Sequence, residues 1–168
     1  FGGAVYSIQS STGVATTLAP SGESFNSLTR VGSAYWSVSS FGGQLNQVNP
    51  LTGVSTPGAT LTGLASESSI RGLASGPTSL FALQNEGGPG TIGPDSLYRI
   101  DLGTGAATLV GSTGYYGMQA LAANAGGQLY AWDVDYGLMS IDSGTGAGSV
   151  INPSGASGVD IQTLSFSS

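Results

Sequence analysis

The chain has 168 residues, enough for one domain with a real core, and 39% of them are hydrophobic. Only 7% are charged, the net charge is −6, and Lys, His and Cys are all absent, which leaves Arg30, Arg71 and Arg99 as the cations. That balance argues against nucleic acid and anionic membrane surfaces as partners, because both need patches of Lys and Arg, and no apolar run approaches the roughly 20 residues of a membrane span.

The chain opens at Phe1 rather than Met and shows no signal peptide, so it reads as processed or partial. Its first predicted element is a strand over Val5–Ile8 in "AVYSIQSSTG" (4–13), followed by a tight turn at Thr12-Gly13 and a second strand in "VATTLAP" (14–20). Next comes an apolar-x-x-Leu phrase, Phe25 to Leu28, then a small-residue turn and an aromatic strand, "AYWSV" (34–38). The opening layout then returns in "QLNQVNPLTG" (44–53). A second round reads Ile70 to Leu73, "LFAL" (80–83), the insertion "NEGGPGTIGP" (85–94), and "SLYRIDLGTG" (96–105) with "AATLVG" after it. A third reads Met118 to Leu121, "LYAW" (129–132), and "GLMSIDSGTG" (137–146) with "AGSVINP" after it. The chain finishes on one more apolar-x-x-Leu phrase, Ile161 to Leu164.

Aligned on Thr-Gly, the copies agree at three offsets. Seven residues before each Thr stands Val5, Leu45, Leu97 or Leu138; four before stands Ile8, Val48, Ile100 or Ile141; three before stands Gln9, Asn49, Asp101 or Asp142. A carboxylate or amide three residues ahead of Thr can accept backbone N–H groups of the turn, and Gly supplies the positive φ that closes it. With no long helical period and Gly or Pro every few residues, the chain reads as all β. Calling the apolar-x-x-Leu strand A, the aromatic strand B and the hairpin strands C and D, the order is C-D, three times A-B-C-D, then A. Four-stranded antiparallel units of about 40 residues are the blades of a small β-propeller, here about four blades in a single domain over 1–168.

The expected closure is incomplete. Complete blades place 17, 24 and 17 positions between the Leu of strand A and the aliphatic residue of strand C. Joining strand A at 161–168 to Val5 leaves only 9, short by about one strand B. The slot would be filled by upstream residues, by another chain, or left as an open edge. Val5, Ile8, Ile161 and Leu164 are the interface residues this implies.

"LYRIDLGTGAATLVG" (97–111) and "LMSIDSGTGAGSVI" (138–151) resemble the repeats of bacterial secreted β-propellers of families of unknown function. The resemblance covers nearly the whole chain and implies a fold rather than an activity. The turns are also similar to the D-x-x-T-G turns of quinoprotein-type blades. Those blades place a Trp soon after Thr-Gly, where this chain has Leu18, Leu109 and Val150, and their cationic cofactor contacts are missing. No quinone and no other cofactor is expected.

Hydrolytic chemistry has few groups to use, with no imidazole base and no Cys or Lys nucleophile. Among the nine acids, Asp101 and Asp142 belong to turns, and no specific carboxylate pair stands out. "DVDYG" (133–137) sets Asp133 and Asp135 two apart, as an oxygen-rich Ca²⁺ loop does, yet lacks the third acid and closing Glu, so a polar turn is the expected reading. Trp36 and Trp132 fall in strands B among blade-packing residues rather than sugar platforms. Tyr115, Tyr116 and Tyr136 fall in loops and are candidates for a contact surface. The expectation is a non-catalytic extracellular structural or interaction module that assembles with itself into a multimer or filament. The alternative is a carbohydrate-binding propeller. The extracellular expectation rests on a Lys-free surface rich in Ser, Thr and Gly.

Overall fold

Four antiparallel sheets form in a computed structural model of the chain, which describes residues 4–20, 25–39, 43–64, 69–76, 79–85, 93–152 and 158–166. The first sheet pairs β1 (Ala4–Ile8) with β2 (Ala15–Pro20). The second orders β3 (Phe25–Val31), β4 (Ala34–Ser39), β5 (Gln44–Val48) and β6 (Ser55–Thr60). The third orders β7 (Ser69–Ser75), β8 (Leu80–Asn85), β9 (Ser96–Ile100) and β10 (Ala107–Ser112), and the fourth β11 (Met118–Ala123), β12 (Leu129–Asp133), β13 (Gly137–Ile141) and β14 (Gly148–Val150). No helix occurs among the described residues. Three complete A-B-C-D sheets and one two-stranded C-D sheet make a four-blade, propeller-like arrangement whose first blade is incomplete.

The Thr-Gly turns repeat at atomic detail. The glycine N–H donates to the main-chain oxygen four residues back at 2.8 Å in all four turns, from Gly13 to Gln9, Gly53 to Asn49, Gly105 to Asp101 and Gly146 to Asp142. Oδ1 of Asp101 accepts the N–H groups of Gly103 (3.0 Å) and Thr104 (2.8 Å) and the Thr104 hydroxyl (2.9 Å). Asp142 does the same for Gly144 and Thr145, and the Asn49 amide oxygen accepts from Leu51 and Thr52. These bonds hold both carboxyls below the ordinary carboxylate range, chiefly through the Thr104 N–H at Asp101 and the Thr145 N–H at Asp142. The four glycines have φ between 71° and 81°, a region where a side chain is strained.

Apolar cores lie between successive complete sheets. Val38 and Leu45 of the second sheet meet Ile70, Leu73, Leu80, Ala82 and Ile100 of the third. Ala74, Phe81, Leu83 and Leu97 of the third meet Met118, Leu121, Leu129, Ala131, Met139 and Ile141 of the fourth. Strand β8 shows the reason for its sequence: Leu80 and Ala82 serve one core, Phe81 and Leu83 the other. A strand buried on both faces needs apolar residues throughout, and each large one buried contributes about 1.5–3 kcal/mol. Among the described residues, neither core includes a residue of the first sheet. Ile8 is 68% exposed and Tyr6 55%.

Innermost strands β3, β7 and β11 pack side by side. Ser27 Oγ accepts the N–H of Leu73 at 2.9 Å, and a Cβ on Gly72 would stand 2.5 Å from the Leu121 nitrogen. The expected final strand A is where structure and sequence differ. Ile161–Phe166 forms no strand and pairs with no part of β1. The segment nonetheless takes the A position: Leu164, Ser165 and Phe166 line an axial cavity of about 230 Å³ with Leu28, Leu73 and Leu121. It is held by side chains, Trp132 Nε1 donating to Val159 O at 2.7 Å and Phe166 lying 5.0 Å from Tyr130. Its backbone forms no ladder, and among the described residues no strand B stands beside it. Most of the 85–94 insertion lies outside the described residues.

Candidate functional site

Two surfaces emerge. One is the two-stranded sheet. In the third and fourth sheets the C–D turn docks on the end of the preceding sheet's strand D. Thr62 N–H donates to Gly105 O (3.1 Å) and Ala107 N–H to Thr62 O (2.8 Å), joining the third sheet's turn to the second sheet; Gly148 N–H donates to Thr113 O (2.9 Å), joining the fourth to the third. Gly105 and Gly146 are buried by this docking, against Thr60 and Gly111. Gly13, the matching residue of the first sheet, is exposed and has space for a Cβ with nothing within 4 Å. Val5 is half-buried and Ile8 exposed on β1, whose outer edge has no strand beside it among the described residues. Ile161 and Leu164 are half-buried on the terminal segment. The structure does not bring these two pairs together into one strand-paired blade.

The second surface is the end of the molecule where the strands A begin. Tyr115 and Tyr136 meet edge to face with ring centroids 5.1 Å apart, and Tyr116 beside them is 56% exposed. Asp133 is buried beneath this patch at 1% exposure. Its Oδ1 accepts the N–H groups of Asp135 (2.9 Å) and Tyr136 (3.0 Å), as a polar turn requires. Asp135 is exposed, and among the described residues no group of three or more His, Cys, Asp or Glu side chains could hold a metal ion. Of the two tryptophans, Trp36 packs against the core between the second and third sheets, and Trp132 anchors the terminal segment.

Residues overlooked by the repeat pattern also converge here. Asp95 is 1% exposed and its Oδ2 accepts the Met118 N–H at 2.8 Å, pinning the start of β11. Asn26, Arg71 and Gln119 occupy the second position of their A phrases. Their signal was present in the sequence as a recurring amide or guanidinium between apolar anchors.

No family model matches the chain, and no curated protein does. Among solved structures it is similar to Kuenenia stuttgartiensis hydrazine synthase at 15% identity and a TM-score of 0.53, over 75% of this chain and 34% of that one. It is similar to the computationally designed Ika4 protein at 17% identity and a TM-score of 0.52, over 87% of this chain and 81% of that one. The designed Ika8 protein gives 16% identity and 0.52, over 93% of this chain and 45% of that one. The chain thus spans about a third of the hydrazine synthase chain and under half of Ika8. Likeness at these identities shows the fold alone.

Proposed function

We propose that the protein is a non-catalytic extracellular interaction module that assembles with copies of itself through its two-stranded sheet. One observation carries this reading: among the described residues, the Gly13 turn and the β1 edge lack the neighbour that Gly105 and Gly146 have. A free edge offers a row of main-chain donors and acceptors to a strand from a second copy. A chain in which only 7% of residues are charged has little to oppose such an approach. Head-to-tail contact of this kind builds a ring or a filament.

Light scattering over a range of protein concentrations, with electron microscopy of the same samples, tests it. Discrete multimers or filaments are expected, and Ile8→Lys on β1 should dissociate them while leaving the fold intact. A wild-type protein that remains a folded monomer at every concentration refutes the reading.

A further inference from the structure

The four A phrases share more than their apolar ends. They read Phe25-Asn26-Ser27-Leu28, Ile70-Arg71-Gly72-Leu73, Met118-Gln119-Ala120-Leu121 and Ile161-Gln162-Thr163-Leu164, with an amide or guanidinium second in every copy. Core packing does not require such a residue. In β3, β7 and β11 it coincides each time with a break in register, at Phe25/Leu28, Ile70/Gly72 and Met118/Ala120. A bulge re-aims a side chain at the expense of ladder bonds, and bulges recur beside binding sites. The three strands stand at one level, since Asn26 Nδ2 donates to Ile70 O at 3.1 Å and Gly72 abuts Leu121. Asn26, Arg71 and Gln119 therefore share one end of the axis.

Arg71 is the informative member. It is half-buried, and its Nε is wholly enclosed without a hydrogen-bond partner. The other two cations are engaged: Arg30 donates to Gly32 O at 2.8 Å, and Arg99 lies 5.4 Å from the centre of the Phe81 ring. No acceptor among the described residues meets the Arg71 Nε, in a chain of net charge −6. A partly desolvated guanidinium is suited to a planar oxyanion, which it grips through two parallel N–H bonds. Gln119, at the matching position of β11, carries an amide that offers both a donor and an acceptor. Tyr116, three residues ahead of Gln119, and the Tyr115–Tyr136 pair supply aromatic surface at the same end, because Asp133 pairs with Met118 across β11 and β12.

We propose that this end of the axis binds a carboxylated saccharide, a uronic acid or a short oligomer of one. Arg71 takes the carboxylate, the Gln119 amide takes a ring hydroxyl, and the tyrosines cover the apolar face of the sugar. A short ligand is favoured over a long polyanion because the protein's own net charge repels extended negative charge. The proposal is independent of self-assembly, since the β1 edge contributes no residue to it.

Calorimetric titration tests it with galacturonate and trigalacturonate as probes, and with glucose and acetate as the neutral sugar and the bare carboxylate. Saturable binding of the uronates is expected, at least about tenfold tighter than either control, the margin that one charge-assisted contact gives. Arg71→Gln should lower uronate affinity roughly tenfold or more, with Gln119→Ala weakening it less and both variants melting near the wild type. Arg71→Lys, which keeps charge without the planar fork, should fall between them and serves if Arg71→Gln does not fold. No uronate binding by folded wild-type protein overturns the proposal. So does acetate or glucose binding as tightly as galacturonate, or uronate affinity unchanged in Arg71→Gln.

Discussion

Replacing the Thr-Gly glycines one at a time separates local strain from inter-sheet docking. Gly13, Gly105 and Gly146 have φ of 71°, 74° and 81°. An alanine forced into that region costs about 1–2 kcal/mol at each position. At Gly13 that is the whole cost, because the new Cβ has nothing within 4 Å. At Gly105 the Cβ collides with the Thr60 carbonyl oxygen, and relieving the clash pushes apart the strands joined by Thr62 N–H to Gly105 O and Ala107 N–H to Thr62 O. Two hydrogen bonds at about 1 kcal/mol each bring the Gly105→Ala cost to about 3–4 kcal/mol. At Gly146 the Cβ would stand 2.5 Å from Gly111 O and threaten the single Gly148–Thr113 bond, so the cost is about 2–3 kcal/mol. For a domain of this size, 1 kcal/mol moves Tm by roughly 2–4 °C, so Gly105→Ala should melt about 5 °C or more below Gly13→Ala. Calorimetric melting of the three variants measures this. Equal losses in all three would refute the idea that docking of the turns on the preceding sheet stabilises the fold.

The depressed carboxyls of Asp101 and Asp142 make the turns pH-dependent: a group whose folded value lies below its ordinary one of 3.8 stabilises the fold above that value and loses the contribution as pH falls through the lower folded value. Asp101→Asn and Asp142→Asn should therefore be less stable than wild type at pH 7 and converge with it in strongly acidic solution, as urea midpoints across pH 2–7 would show. Trp132→Phe removes the bond to Val159 O, costs about 1 kcal/mol, and should speed hydrogen exchange in 158–166 while the sheets keep their protection. Leu45→Ala and Leu97→Ala, each at a fully buried position of a different core, should each cost about 2–5 kcal/mol by chemical denaturation.

What the sequence made legible was the chemistry that acts over a few residues. Asp101 bonds to positions two and three ahead of it, so its turn is written locally and repeats with Asp142 and Asn49. The anchors seven and four before Thr are buried in the second and third sheets, at Leu45, Val48, Leu97 and Ile100, and in the fourth Ile141 is buried while Leu138 is half-buried. The same offsets in the first copy give Val5 and Ile8, which are not buried, because burial depends on a sheet that the repeat itself does not encode. The docking of Gly105 on Thr60 links residues far apart in the chain and has no local signature. The placement of 161–166 had the right address and the wrong hydrogen bonding, since a strand needs a partner as well as a pattern. Asn26, Arg71 and Gln119 were written in plain repeat, but the phrase announces itself through its apolar ends, and the polar residue between them looks like a spacer until the register breaks show where it stands.

The two proposed surfaces rest on different forces, and ionic strength tells them apart. Assembly at the β1 edge uses main-chain hydrogen bonds and the apolar side chains of Val5 and Ile8, with Arg30, Arg71 and Arg99 all lying outside β1 and β2. Salt screens charges and leaves such contacts nearly untouched, so the multimer should persist at high salt. Uronate binding draws on a single guanidinium–carboxylate pair at a half-buried, water-accessible position, where the Debye length shrinks from about 10 Å at 0.1 M to about 3 Å at 1 M salt. Raising NaCl from 0.1 to 1 M should therefore weaken galacturonate binding severalfold while light scattering still reports the multimer. Were both to collapse together, saccharide and self-contact would share one charged surface, and the separation of the β1 edge from the Arg71 end of the axis would be wrong. Were neither to change, the Arg71 guanidinium would not be the group that holds the carboxylate.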